Sequence, residues 1–151
     1  MARIRVSIDI DAPPEQVWAA IRDVRGHAAW MADARAIRVT SRRSEGVGTA
    51  FECDTQLGPL RTTDRMEITE WRPARAMGVR HTGVVTGDGR FTLRPVRRSN
   101  RARTRFRWQE RLTFPWWLGG PVGAVVGGRV LRWVWRRNLT ALKAMVEGGA
   151  G

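Results

Sequence analysis

The sequence predicts an α+β fold, a curved antiparallel sheet wrapped around one long C-terminal helix. Three observations carry this. The stretch Pro121–Glu147 is the only segment long and periodic enough to be a major helix. From Ala36 to Phe114 apolar and polar residues alternate between turn signals, the pattern of successive half-buried strands. The remaining helical patterns are two short ones after the first strand, so helix and sheet are segregated.

Taken in order, Ala2–Ile10 alternates Ile4, Val6, Ile8 and Ile10 against Arg3, Arg5, Ser7 and Asp9, a strand with one buried face. A helix over Pro14–Arg22 follows, with prolines pre-setting its first turn and Val17, Trp18 and Ile21 inward. Asp23–Gly26 breaks it, and His27–Ala34 reads as a second short helix carrying Trp30 and Met31. Strands are then expected over Ala36–Arg42, Thr49–Leu57, Leu60–Trp71, Ala76–Val85, Arg90–Val96 and Ala102–Phe114. Gly87-Asp88-Gly89 is expected as a hairpin turn, and Arg97–Arg101 as a basic loop. The last strand alternates most clearly, with Thr104, Phe106, Trp108, Glu110 and Leu112 on one face and arginines on the other. For the long helix, a wheel of about 100° per residue centres the inner face on Val126, Val130, Trp133, Val134, Ala141, Ala144 and Met145. Leu131, Trp135, Leu142 and Val146 widen that face; Arg129, Arg132, Arg136, Lys143 and Glu147 form a thin polar strip. So apolar a helix demands a large covering surface.

At 151 residues the length suits one domain, residues 1–151, with a sizeable core. The hydrophobic share of 42% and charged share of 27% are ordinary for a globular protein, but the net charge of +13 is not. Nearly all the basic residues are arginines, and Lys143 is the only lysine. They are spread along the chain without a tail or low-complexity run, which argues for compositional bias and against nucleic-acid binding. A single cysteine, Cys53, excludes an internal disulfide and a cysteine-based zinc cluster. The chain opens on a strand pattern, so no signal peptide is expected and the cytoplasm is the default compartment. No apolar run reaches the length of a membrane span. Neither a metal-ligand spacing, a phosphate loop nor a nucleophile elbow is present, and no cofactor is expected.

Several segments together resemble a known family. They are Ile10-Asp-Ala-Pro-Pro-Glu-Gln-Val-Trp18, Trp30 after Asp23, Ile68-Thr-Glu-Trp-Arg-Pro73, Phe106-Arg-Trp-Gln-Glu110, and the terminal Leu142-Lys-Ala-Met-Val-Glu147. In this order and spacing the chain resembles the START/Bet v 1-like (SRPBCC) superfamily, in particular its bacterial polyketide cyclase/dehydrase-like branch. The resemblance implies a helix-grip fold, a seven-stranded antiparallel sheet curled around the C-terminal helix. It also implies a hydrophobic cavity for a lipid-like, polyketide-like or other apolar molecule, without fixing a chemistry.

The cavity wall is expected from Phe51, Met66, Ile68, Met77, Val79, Phe91, Phe106 and Trp108 on the sheet, facing Val130, Trp133, Val134 and Arg137 on the helix. Each of these would equally fill a solid core. Glu110 is the most informative polar residue, because alternation turns it inward beside Trp108. It reads either as a ligand-orienting or proton-transfer group, or as a strand-end carboxylate paired with an arginine. Arg137 lies in the apolar arc, to meet Glu110, hold an acidic ligand or extend outward. His81 shares a face with Val79 and Met77, either as a proton shuttle or as a structural histidine. His27 is expected to be exposed, Asp64 to sit at the rim and Cys53 to act as a small core hydrophobe. Trp116 and Trp117 lie in a Gly-rich loop before the long helix, open to being a lid, a contact with anionic membrane beside Arg129, Arg132 and Arg136, or a dimer contact. Three functions follow: binding of a hydrophobic small molecule; an aromatase/cyclase with Glu110 and His81 moving protons; and an interaction module on the basic surface. The chain is expected to be a monomer or a homodimer.

Overall fold

Alternation builds the sheet. In the computed structural model, which describes residues 1–98 and 100–149, the alternating segments become seven strands of one antiparallel sheet. They are β1 (Ala2–Ile10), β2 (Ala34–Val39), β3 (Ala50–Leu57), β4 (Leu60–Arg72), β5 (Ala76–Thr82), β6 (Thr86–Arg98) and β7 (Arg101–Thr113). The order across the sheet is β1-β7-β6-β5-β4-β3-β2, so the meander closes by returning β7 beside β1. The register shifts between Ala34 and Ala36 and between Ile68 and Glu70, irregularities that bend a sheet. A helix over Pro14–Ile21 (α1) and a 3-10 segment over Val24–Ala29 connect β1 to β2. Val17, Trp18 and Ile21 of α1 are buried as the periodicity requires. The long C-terminal helix α2 runs Gly120–Gly148 and lies closest to β1. This is the helix-grip arrangement.

Two turn expectations need correction. Gly87-Asp88-Gly89 is not a hairpin turn; all three residues lie within β6, and the bend is at Gly83-Val84-Val85. These glycines serve close approach instead. A Cβ on Gly87 would collide with the Arg111 carbonyl, and one on Gly89 with the Glu110 carboxyl. The basic loop at Arg97–Arg101 is also shorter than expected, since β6 continues to Arg98 and β7 begins at Arg101. Ser99 of that loop lies outside the described residues.

The largest correction concerns the rotation of α2. Its buried residues are Leu131, Trp135, Asn138, Leu139, Leu142 and Val146. Val126, Val130, Trp133 and Met145 are exposed, as are Ala141 and Ala144, while Val134 is half-buried. The helix therefore carries two apolar arcs on opposite sides, and periodicity alone favours the outer one. A polar anchor decides between them. The Asp33 carboxylate accepts hydrogen bonds from Asn138 Nδ2 at 2.8 Å and Trp135 Nε1 at 3.3 Å. The Ala32 amide donates to Asn138 Oδ1 at 3.0 Å. Asn138 is 1% exposed, so these bonds are made away from water. At the far end Lys143 reaches the Asp9 carbonyl, and Glu147 accepts from the Asp11 amide, fastening α2 to the end of β1.

Hydrogen bonds to a buried charge are the costly ones to break. Asn138→Ala is expected to destabilise the fold by about 2–3 kcal/mol. The exposed Thr140→Ala should stay within about 0.5 kcal/mol of the parent. Urea denaturation of both variants, with an unchanged slope, checks this.

Candidate functional site

The inner face of the sheet and the buried face of α2 do not meet completely. Between them lies a partly open pocket of about 150 Å³. An enclosed apolar cavity of about this size accepts one aromatic ring, and the open side of this pocket lets a larger molecule extend outward. Phe51, Met66, Met77, Val79, Phe91 and Trp108 line it, each placed inward by strand alternation. The helix contributes Leu131 and Trp135. Trp108 stacks on Trp135 with ring centres 4.3 Å apart and planes 14° from parallel. Trp30, Phe91 and Phe106 continue this aromatic cluster by tilted and edge contacts.

Some expected wall residues do not line the pocket. Ile68 and Phe106 are fully buried in the core and do not line the pocket. Val130 and Trp133 face outward because the Asp33 anchor turns the opposite arc of α2 inward. Val134 packs against the core edge without reaching the pocket. Arg137 is exposed and lies over the Trp133 ring at 4.9 Å, far from any role beside Glu110. Leu131 and Trp135, which sequence reasoning places at the widened edge of the inner face but not in the cavity wall, recur at i and i+4 with Leu139 and Leu142 following. That leucine-rich arc was the available signal.

One wall of the pocket is polar. Glu110 on β7 and His81 on β5 are separated in the sheet only by Gly89 on β6, which pairs with Glu110 while Gly87 pairs with His81. Both side chains are buried, and His81 Nε2 lies 3.3 Å from Glu110 Oε1. Gly89 has no side chain to occupy the space that the Glu110 carboxyl fills. The partner of Glu110 is thus a histidine rather than an arginine. Asp64 on β4 joins this wall, accepting a 2.8 Å hydrogen bond from the Thr55 hydroxyl. Burial holds its carboxyl above the usual range. Asp64 is half-buried within the wall and not only at the rim.

Three buried polar atoms of pocket residues have no hydrogen-bond partner in the protein: His81 Nδ1, Asp64 Oδ1 and Trp108 Nε1. An indole N–H donates, a carboxylate oxygen accepts, and an imidazole nitrogen does either. The wall can therefore recognise a polar substituent on an otherwise apolar molecule.

The two histidines differ. His27, expected outside, is 5% exposed and lines the pocket. Its Nε2–H donates to the Ile21 carbonyl at 2.7 Å, which closes the end of α1. Burial drives its pKa down to about 4, outweighing that bond. For His81 burial also lowers the pKa, but the charge and hydrogen bond of Glu110, with Asp64 behind, reverse the sign and raise it. Their stability effects have opposite pH windows. His27 withdraws stability as pH falls from about 6.5 towards 4, where the unfolded chain binds the proton better. The His81–Glu110 contact contributes stability below about 6.5 and loses it as pH rises through the raised folded value. Cys53 is buried and its thiol pushed up to about 11, leaving it a small core side chain. No group of three or more His, Cys, Asp or Glu suited to a metal ion occurs among the described residues.

The comparisons with known proteins agree with this architecture. A family model described as polyketide cyclase / dehydrase and lipid transport matches residues 1–147. The chain belongs to that family. A Thermus thermophilus protein of known structure is 18% identical, with a TM-score of 0.76 and coverage of 99% of both chains. The Zhui aromatase/cyclase from Streptomyces sp. R1128 is 17% identical, with a TM-score of 0.74 over 96% of this chain and 93% of that one. The di-domain ARO/CYC BexL from the BE-7585A biosynthetic pathway is 18% identical, with a TM-score of 0.73 over 97% of this chain and 47% of its own. At such identities these likenesses establish the fold. No curated protein matches the chain by sequence.

An NMR titration resolves the histidine pair. His81 ring signals are expected to move above pH 6.5 and those of His27 only near pH 4. In Glu110→Gln the His81 midpoint should drop below 6.5, because burial is then opposed less, while His27 stays in place.

Proposed function

We propose that the protein binds a hydrophobic small molecule, lipid-like or polyketide-like, in the pocket between the sheet and α2. The observation that carries this reading is the pocket itself: an aromatic and methionine wall around Trp108 and Trp135, with the unpartnered polar atoms of His81, Asp64 and Trp108 among its lining residues. Burial of an apolar ring there supplies the affinity, and the His81–Asp64–Trp108 side supplies orientation. Family membership supports the ligand class. Such binding depends little on ionic strength, unlike attachment to nucleic acid through the arginines.

A test uses 2-naphthol, a neutral aromatic with one hydroxyl, in calorimetric titrations, together with native mass spectrometry of the purified protein for co-purified apolar molecules. Val79→Phe fills pocket space from β5 without adding charge. It should weaken 2-naphthol binding at least about tenfold, or roughly 1.4 kcal/mol. The melting temperature should stay within about 5 °C of the parent. Equal affinity in both proteins would place the probe elsewhere.

The His81–Glu110 contact favours a second reading, an aromatase/cyclase-type enzyme in the same pocket. There the pair would take a proton from a methylene between two carbonyls, the resulting carbanion would attack a further carbonyl carbon, and the pair would return a proton to the new alkoxide before water is lost. The names of the aromatase/cyclase neighbours support this chemistry. In this reading Glu110→Gln lowers turnover of a poly-β-ketone thioester at least about a hundredfold while 2-naphthol affinity changes little. An inert parent protein, with ligand binding intact, leaves the binding reading alone.

A further inference from the structure

We infer that the outer face of α2, together with the Trp116-Trp117 turn, is a docking surface for an anionic membrane. The argument begins with exposure. Trp116 is 84% exposed and Trp117 55%, on the short 3-10 turn before α2. Along α2 itself Val122, Val126, Val130 and Trp133 are exposed. They are spaced i, i+4, i+8 and i+11, so they form a single stripe on the side opposite the buried Leu131, Trp135, Leu139 and Leu142. The interior of the protein does not require these side chains to be apolar.

Charge identifies the partner. No Asp or Glu occurs between Glu110 and Glu147. Arg129, Arg136 and Arg137 are exposed along the stripe, with Arg132 half-buried at its flank. Elsewhere among the described residues some arginines have local carboxylates, such as Arg38 with Glu52 and Asp54, Arg90 with Glu70, and Arg105 with Asp9, while others such as Arg3 and Arg5 do not; what sets α2 apart is that its arginines border an exposed apolar stripe. Among the described residues none of the four α2 arginines has such a pair. A second copy of the chain would bring like charges together across a symmetric contact. A convex apolar ridge edged by unpaired arginines instead matches a plane of anionic headgroups over acyl chains. Tryptophans next to the ridge suit the same interface.

Placement adds a consequence. Phe114 and Leu118 flank the two tryptophans and line the pocket. They lie at the end of the sheet where Val85 and the β3–β4 hairpin residue Leu60 also line it. Docking on this face would hold that end of the pocket against the lipid, so that apolar cargo passes between bilayer and protein without crossing water. The cargo step rests on the binding reading above; docking does not.

Co-sedimentation with phosphatidylcholine vesicles, with and without about 30 mol% phosphatidylglycerol, decides the matter. The intact protein is expected to bind the anionic vesicles and to release in high salt. Trp116→Ala/Trp117→Ala and Trp133→Ser should each weaken binding about tenfold or more. Arg129→Gln/Arg136→Gln should weaken it about twenty-fivefold, near fivefold per charge. Arg3→Gln/Arg5→Gln, which removes the same charge from the exposed face of β1, should change binding far less. No binding to anionic vesicles at low salt overturns the proposal. So does an equal loss in the Arg3/Arg5 variant, which would reduce the effect to net charge. A dimer dissociated by Trp133→Ser, with vesicle binding absent in both forms, also overturns it. Unchanged 2-naphthol affinity in all variants would keep the pocket reading separate from either result.

Discussion

One carboxylate sets the rotation of the C-terminal helix. Asp33, just before β2, accepts from both Trp135 and Asn138, and the adjacent Ala32 amide donates back to Asn138. A helix with apolar residues on two sides has no hydrophobic reason to choose one of them. Three directed hydrogen bonds in a buried site do choose, because any other rotation would bury the Asp33 charge without partners. Much follows from that choice. Trp135 stacks on Trp108, Leu131 roofs the pocket, and the Val122–Trp133 stripe is left facing solvent.

The polar wall follows from a second constraint, the alternation of three neighbouring strands. Glu110 is turned inward by β7 and His81 by β5, and the intervening strand would normally fill the space between them with a side chain. Gly89 leaves that space open. A carboxylate and an imidazole then meet in a setting that would otherwise force one of them neutral or outward. The result is an ionisable pair embedded in an aromatic pocket, with His81 Nδ1 still free to engage something else. The same glycine makes the pair geometrically available to the pocket.

The strand framework is legible in the sequence because period-two alternation admits only one inward set. That is why Phe51, Met66, Met77, Val79, Phe91, Trp108, His81 and Glu110 fall on the inner face from sequence alone. The helix is less legible. Valines and tryptophans on its outer arc score as core residues in any hydrophobic count, while Asn138 in the inner arc counts against that face. The polar bond that outweighs this count joins residues far apart in the chain, so it leaves no local pattern. His27 is hidden for a related reason. Its carbonyl partner at Ile21 is created only when α1 ends, and a polar residue in a short linker looks solvated until that acceptor is known. Gly87 and Gly89 carry the chemistry of a turn in sequence but serve strand contact in space, because turn and close approach both demand a missing Cβ.

The composition of α2 changes along its length in a way the buried core does not explain. Its buried residues begin at Leu131. Before them stand Gly120, Gly123, Gly127 and Gly128 and several valines, residues that each reduce intrinsic helix stability by tenths to about one kcal/mol. The first turns therefore have weak propensity and few buried contacts, whereas the second half has leucines, Trp135 and the Asp33 anchor. Local stability must rise from the N-terminal end towards the C-terminal end. The weakly held end is also where Phe114 and Leu118 border the pocket and where Trp116 and Trp117 are exposed. The weakly held segment borders one end of the partly open pocket. This fold places that segment on the same side as its exposed apolar ridge, while the anchored half keeps the aromatic stack fixed.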